Sequence, residues 1–89
     1  MLIKEQPYRI NKQVKLDVTT TESNLDINGQ AVYIHNTGNS TVYMDTVTGV
    51  TADDWEIRSG FIIGPITASA KLYFKCDANS TLKFLFLEV

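Results

Sequence analysis

The sequence predicts an all-β domain, a small antiparallel β-sandwich or jelly-roll-like barrel of about seven or eight short strands with no long helix. Apolar and polar residues alternate with period two, as at Val14–Thr19 and Lys71–Asp77, which is typical of half-buried strands. Turn residues such as Asn28-Gly29 and Gly64-Pro65 separate these stretches. Only Met1–Glu5 and Ala52–Ile57 could support a helical turn, and no long helix is expected. Short strands at intervals of roughly 8–12 residues indicate a sandwich or barrel.

The predicted strands follow one another with polar turns between them. Their ranges are 14–19, 25–27, 31–35, 40–45, 55–58, 61–63, 71–77 and 81–89. Thr19–Asn24 has no apolar residue and is predicted as a loop, and Asn36–Asn39 as a tight turn. Gly64-Pro65 is expected to break the chain, and Ala52–Ile57 could support a helical turn.

Two parts of the chain resemble each other. Tyr33 corresponds to Tyr73, and Asn39-Ser40-Thr41 corresponds to Asn79-Ser80-Thr81, at an offset of 40 residues. An internal repeat and the convergence of similar turns both remain open as explanations. Either one predicts two β-hairpins, over residues 31–45 and 71–85, and paired hairpins imply a sandwich.

The inward-facing residues of these strands form the predicted core. They are Val14, Leu16, Val18, Val32, Ile34, Val42, Met44, Leu72, Phe74, Leu82 and Phe84, with Cys76 pointing inward after Phe74. The last strand departs from alternation, because Phe84–Leu87 places apolar groups on both faces. Such a strand is either covered on both sides or lies in a subunit interface.

Length and composition bound the remaining possibilities. Eighty-nine residues allow one domain, which we divide into an N-terminal arm or edge strand at residues 1–10 and a single β-sandwich at residues 11–89. The formal net charge of −2 gives no electrostatic drive toward nucleic acid or an anionic membrane. One cysteine excludes an internal disulfide, so we expect oligomerisation or attachment to an assembly to supply extra stability.

The reactive side chains do not assemble into a recognised catalytic or metal pattern. His35 is the only histidine, whereas a zinc site needs about three protein ligands. Cys76 is interpreted as an inert buried residue. Asp53-Asp54 fits a weak calcium ligand pair, but more simply a solvated loop or a cap before Trp55. No serine has a nucleophile-elbow pattern, so we expect no enzyme, no cofactor and no metal.

Aromatic residues offer the one ligand hypothesis. Trp55 and Tyr43 could line a platform on which sugar rings stack, although aromatic residues also serve cores and interfaces. Asn39-Ser40-Thr41 and Asn79-Ser80-Thr81 fit the N-glycosylation pattern, but their turn chemistry explains them without modification.

The stretch Val32–Asp45, with the sequence VYIHNTGNSTVYMD, resembles the strand–Asn-x-Gly–strand signature of small tail, neck and head-decoration proteins of tailed phages. In that family a G-x-x-I/L-x-P/G segment, an LY strand and a final apolar strand follow. The corresponding stretches here are Gly60–Pro65, Leu72-Tyr73 and Thr81–Val89, so the similarity covers roughly residues 31–89. It implies a virion component that binds copies of itself and neighbouring capsid or tail proteins.

Three classes of function follow. The first is a non-enzymatic structural subunit of a phage particle, made in the host cytoplasm and carried in the virion. The second is a small carbohydrate-binding β-sandwich module, and the third, a cupin-type enzyme, conflicts with the single histidine. For the first, the expected contact residues are Leu2, Ile3, Tyr8, Ile10, Phe61, Ile62, Ile63, Leu85 and Leu87. Leu2 and Ile3 fit an arm that clamps a neighbour or a plain edge strand.

Overall fold

The computed structural model describes residues 9–88, which form eight β-strands. The strands are β1 (Arg9–Val18), β2 (Ser23–Asp26), β3 (Ala31–Asn36), β4 (Val42–Asp45), β5 (Trp55–Ile57), β6 (Ile62–Ile66), β7 (Lys71–Cys76) and β8 (Ser80–Glu88). None of the described residues lies in a helix, and this part of the chain has no helix long and apolar enough to cross a membrane.

Two antiparallel four-stranded sheets make up the fold. Sheet A has the strand order β1-β8-β3-β6, and sheet B has the order β2-β7-β4-β5. Only β4 and β5 are consecutive strands that pair with each other, so every other connection carries the chain from one sheet to the opposite one. Eight strands in these two orders form a jelly roll. The predicted all-β sandwich is therefore confirmed.

The predicted pairing within the two hairpins is wrong. β3 pairs with β6 and β8, whereas β4 pairs with β5 and β7. β8 likewise pairs with β1 and β3, not with β7. The similarity at an offset of 40 residues does match β3 to β7, and both strands are followed by a turn that crosses between the sheets. Alternation predicts which residues face inward, but it is equally satisfied when two consecutive strands face each other across the core.

Several strand ends also differ from the prediction. β1 begins at Arg9, so Ile10 belongs to a strand, and β2 includes Ser23 and Asn24 from the predicted loop. β6 continues through Gly64-Pro65, which are joined by a cis peptide bond, and does not break there. An edge strand tolerates proline because its missing N–H can face away from the neighbouring strand. Ala52–Ile57 forms a turn followed by β5.

The core lies between the two sheets. Phe74 from sheet B packs edge-on against Phe84 from sheet A, with the ring centroids 5.4 Å apart and the planes at 66°. Every predicted core residue belongs to this cluster or packs against it, and Cys76 is buried as expected. Val14, Leu16 and Met44 are the half-buried members, and Ile27, Ile57 and Phe86 are buried members that the sequence did not predict.

Candidate protein-interaction surfaces

The outer face of sheet A carries an apolar patch. Across the strands, Tyr33 of β3 lies next to Leu85 of β8, and Ile62 of β6 lies next to His35 of β3. Lys83 lies on the other side of His35. We call these five residues the sheet A patch. Together with Gln13 they line a shallow groove of about 440 Å³.

The strand pattern explains how this patch arises. In β3 the buried residues Val32 and Ile34 alternate with Tyr33 and His35, which are half-buried on the opposite face. Ile62 is 60% exposed on the edge strand β6. Apolar side chains are thus displayed on the side of the sheet that faces away from the core, with basic side chains beside them.

The outer face of sheet B has a different composition. Its rows place Asn24 next to Tyr73, Asp26 next to Lys71, and Tyr43 between Lys75 and Glu56. The face therefore alternates acidic and basic side chains with two tyrosines, and it lacks aliphatic residues in these rows. The contrast between the two faces makes the sheet A patch the better candidate for a protein contact.

The structure places the predicted contact residues in three groups. Leu2, Ile3 and Tyr8 lie outside the described residues. Leu85 and Ile62 belong to the sheet A patch, Phe61 is exposed next to Ile62, and Ile10 is exposed on β1. These four remain contact candidates.

Ile63 and Leu87 are not exposed contact residues in this structure. Ile63 pairs with Ile34 and packs against the core cluster, because it has the inward orientation in β6. Leu87 shares a row with Ala31 on the face away from Phe86, yet only 5% of it is exposed. Of the two alternatives for the last strand, coverage on both faces applies at Leu87, whereas Leu85 is half-buried on the outer face.

Trp55 and Tyr43 do not form one platform. Trp55 pairs with Met44 and Tyr43 pairs with Glu56, so the two rings alternate to opposite faces of sheet B. The Tyr43 hydroxyl donates a hydrogen bond to Asp77 Oδ2 at 3.2 Å, and desolvation together with this carboxylate raises the pKa of Tyr43. Trp55 is 66% exposed on the edge strand β5, without the Tyr43 ring beside it.

Trp55 does have acidic neighbours. It lines a shallow depression of about 520 Å³ with Ala52, Asp53, Asp54 and Glu56. Asp54 accepts a hydrogen bond from the Thr51 amide at 2.8 Å through Oδ2 and so closes the turn before β5. A strand follows at Trp55, so Asp54 is not a helix N-cap. An exposed indole ring beside carboxylates could contact a sugar or a cationic group.

Neither His35 nor Cys76 belongs to a metal-binding group among the described residues. No group of three or more His, Cys, Asp or Glu side chains within residues 9–88 could hold a metal ion. Cys76 is buried and its Sγ lies 3.7 Å from the Val18 carbonyl oxygen. His35 lies on the outer face between Lys83 and Ile62, as its position in the strand pattern predicted.

Asn36 holds one end of the sandwich together. It is fully buried at the end of β3, and its Nδ2 donates to the carbonyl oxygens of Ile57 at 2.8 Å and Ser40 at 2.7 Å. Its Oδ1 accepts from the Ser80 hydroxyl at 2.6 Å and from the Gly38 amide at 3.1 Å. All the hydrogen-bonding capacity of the amide is used, so one side chain joins both sheets and the turn between them.

Gly38 allows the turn to approach β8. A Cβ at this position would lie 2.6 Å from the Thr81 backbone nitrogen. The sequence predicted Asn36 as part of the tight turn, whereas it is the last residue of β3 and is buried. The Asn36-Thr37-Gly38 motif therefore has a structural role here, which is to close the sandwich over Ser80.

Glu22 organises the long connection between β4 and β5. Its Oε2 accepts a hydrogen bond from the Thr48 hydroxyl at 2.6 Å, and its Oε1 accepts from the amides of Gly49 and Val50, each at 2.8 Å. The Thr48 hydroxyl, followed by the Val50 amide, lowers the pKa of Glu22. No local pattern in the sequence indicates this contact, because Glu22 lies 26 residues from Thr48.

A polar pocket lies where the two Asn-Ser-Thr turns meet. Asn39 and Asn79 line it with Asp17 and Thr19, in a volume of about 430 Å³. The Thr81 hydroxyl donates to Asp17 Oδ1 at 3.2 Å, so this carboxylate is already engaged. The pocket has no aromatic side chain among its lining residues, and its polar groups hold the two turns in place.

Comparison with protein-family models, with curated proteins and with solved structures finds no match to this chain.

Proposed function

We propose that this protein is a non-enzymatic structural subunit of a phage particle, acting as a capsid decoration or cement, neck or tail protein through protein–protein contacts. The observation that carries the proposal is the sheet A patch, where Tyr33, Ile62 and Leu85 are displayed outside the core. Its partners are copies of itself and other virion proteins.

The composition of the patch supports a protein partner. Protein interfaces combine aromatic and aliphatic residues at the centre with a polar rim, and the patch has Tyr33 and Leu85 at its centre with Lys83 and Gln13 beside them. The charged outer face of sheet B lacks such a centre. A subunit that binds a partner through the outer face of sheet A and exposes the charged face of sheet B to solvent fits a position on the surface of a larger assembly.

The phage assignment is supported by the resemblance over residues 31–89 and by the fold class. Eight-stranded jelly rolls occur in viral capsid domains and in lectins. The resemblance also includes the segment around Gly60–Pro65, which leads into the edge strand β6 and displays Phe61 and Ile62. That segment, unlike the Asn-x-Gly turn, contributes side chains to the candidate contact surface.

The test is incorporation into particles of the phage that encodes the chain. Mass spectrometry of purified particles should detect the chain in many copies. Ile62→Asp should reduce incorporation at least tenfold, because a charge replaces an apolar contact at the centre of an interface. Val47→Asp is the matched control, since Val47 is equally exposed but lies in the β4–β5 connection, outside the patch.

Two results would reject the proposal. One is the absence of the chain from purified particles. The other is incorporation of both aspartate variants at the wild-type level, which would show that the sheet A patch makes no contact in the particle.

A carbohydrate-binding module is the second candidate, favoured by the exposure of Trp55 beside Asp53 and Glu56. Trp55 is the only tryptophan, so its fluorescence reports directly on the site. Under this candidate function, a glycan panel at millimolar concentration or below should change that fluorescence for at least one saccharide. No response from any saccharide would eliminate the module.

A further inference from the structure

Two four-stranded sheets leave four edge strands. These are β1 and β6 in sheet A, and β2 and β5 in sheet B. An edge strand presents unpaired N–H and C=O groups that can pair with another chain. Proteins block such edges with short strands, prolines, bulges, inward-pointing charges or exposed charged side chains, lysine above all.

Three of the four edges are blocked. β2 has four residues and β5 has three, which is too short to support a stable new ladder. β6 contains Pro65, which cannot donate a hydrogen bond, and its pairing with β3 is irregular between Val32 and Ile34.

β1 is blocked over its first part only. It is the longest strand, with ten residues, and it pairs with β8 along one side. The pairing shifts between Ile10 and Lys12, and Lys12 lies on the same face as Phe86 with its ammonium 4.8 Å from the ring centroid. A bulge and an inward-facing charge are both blocking devices. Residues 13–18 have neither, and no second strand within residues 9–88 pairs with them. Their exposed charges, Lys15 and Asp17, block this edge only against a strand that brings no counter-charges.

The charges on this open segment are self-complementary. Lys15 and Asp17 are exposed on the outer face, two residues apart. If two copies pair antiparallel about Leu16, each Lys15 lies opposite Asp17 of the second copy. Opposite charges in directly facing positions stabilise a strand pair. The same register places Val14 opposite Val18 and covers the half-buried edge of the core.

We propose that two copies of this chain associate by antiparallel pairing of β1 with β1, centred on Leu16, to give a continuous eight-stranded sheet. The contact is isologous, because the same segment serves both partners. Both sheet A patches then lie on the same side of the dimer, which doubles the area available for contact with a partner protein. The inference rests on the proposed function as an assembly subunit, and it identifies the segment through which two copies bind each other.

Charge reversal tests the pairing. Light scattering across concentration should show a dimer of the wild-type chain. Asp17→Lys and Lys15→Asp should each weaken it by on the order of tenfold, because two facing pairs become repulsive in every dimer. The double variant, Lys15→Asp with Asp17→Lys, should restore the wild-type affinity. Asp53→Lys makes the same change on the exposed turn before β5 and should have no effect.

Cross-linking tests the register. Lys15→Cys and Asp17→Cys are prepared separately and then mixed. Facing Cα atoms in antiparallel strands are about 4.5–5.5 Å apart, within the range of a disulfide, whereas diagonal ones are about 7–8 Å apart. Oxidation should therefore yield the mixed dimer in preference to either homodimer. Cys76 remains buried and serves as the internal control for unspecific oxidation.

The outcomes separate this inference from the proposed function. A stable oligomer that tolerates Asp17→Lys overturns β1 pairing while leaving the particle assignment intact. A wild-type chain that stays monomeric at millimolar concentration also overturns β1 pairing. In that case the proposed function is still tested separately, by whether the chain is detected in particles. Homodimer cross-links that equal the mixed one overturn the register.

Discussion

Replacement of Asn36 by alanine is the perturbation whose cost follows most directly from the structure. The variant removes both donors and the acceptor of a fully buried amide. The Ile57 carbonyl oxygen and the Ser80 hydroxyl then lose a buried partner, and each such group costs about 1–3 kcal/mol. The Ser40 carbonyl is only partly buried, so water can replace its bond. We expect a loss of about 3–5 kcal/mol in the free energy of unfolding.

That loss is large for a domain of this size. A chain of 89 residues has a total stability of roughly 4–13 kcal/mol. A decrease of about 3 kcal/mol lowers the Tm by roughly 12–24 °C. Urea unfolding followed by far-UV circular dichroism gives the free energy, because the exposed Trp55 is a poor reporter of core unfolding.

Two comparisons make the measurement decisive. Asn39→Ala removes an exposed asparagine from the same turn and should change stability by less than about 0.5 kcal/mol. Ser80→Ala removes one of the partners of Asn36, so the double variant Asn36→Ala/Ser80→Ala should cost less than the sum of the two single variants by at least about 0.5 kcal/mol. If Asn36→Ala is no more destabilising than Asn39→Ala, the buried network does not hold the sandwich together.

Three further expectations follow from the same structure. Gly38→Ala should lose about 1–3 kcal/mol in urea unfolding, because the new Cβ lies 2.6 Å from the Thr81 nitrogen; a neutral effect would mean that the turn relaxes freely. Phe74→Ala should lose about 3–5 kcal/mol by the same measurement, since its ring is fully buried between the sheets. The folded-state pKa of Glu22 is depressed, so its stabilisation is complete above the unfolded-state pKa and is lost as the pH falls through the folded-state pKa. The NMR signal of the Val50 amide should report that titration below the ordinary glutamate pKa, and Glu22→Gln should abolish it.

The direction of each strand side chain could be predicted from the sequence. Val32 and Ile34 face the core while Tyr33 and His35 face outward, as period two requires. This rule is local, because successive side chains of any strand point to opposite faces whatever strand lies alongside. It placed every predicted core residue on the correct face without any knowledge of the topology, although it missed Ile27, Ile57 and Phe86.

The parts of the candidate site that depend on strand partners could not be predicted. The sheet A patch exists because Tyr33 of β3 lies beside Leu85 of β8, 52 residues later in the chain, and Ile62 lies beside His35. Trp55 and Tyr43 looked like a common platform until the pairing of β4 with β5 separated them. Long-range pairing sets these neighbours, and turn residues alone do not reveal whether the next strand stays in the sheet or crosses the sandwich.

The sequence by itself thus determined the fold class, the inward-facing residues and the lack of a histidine or cysteine cluster. The tertiary structure alone decided that Asn36 is buried and joins the two sheets, that Leu87 is covered, and that residues 13–18 of β1 pair with β8 alone among residues 9–88. The physical reason is that side-chain alternation is a property of one strand by itself. Burial, hydrogen-bond partners and free edges depend instead on which strands pair with it and on the sheet that packs opposite.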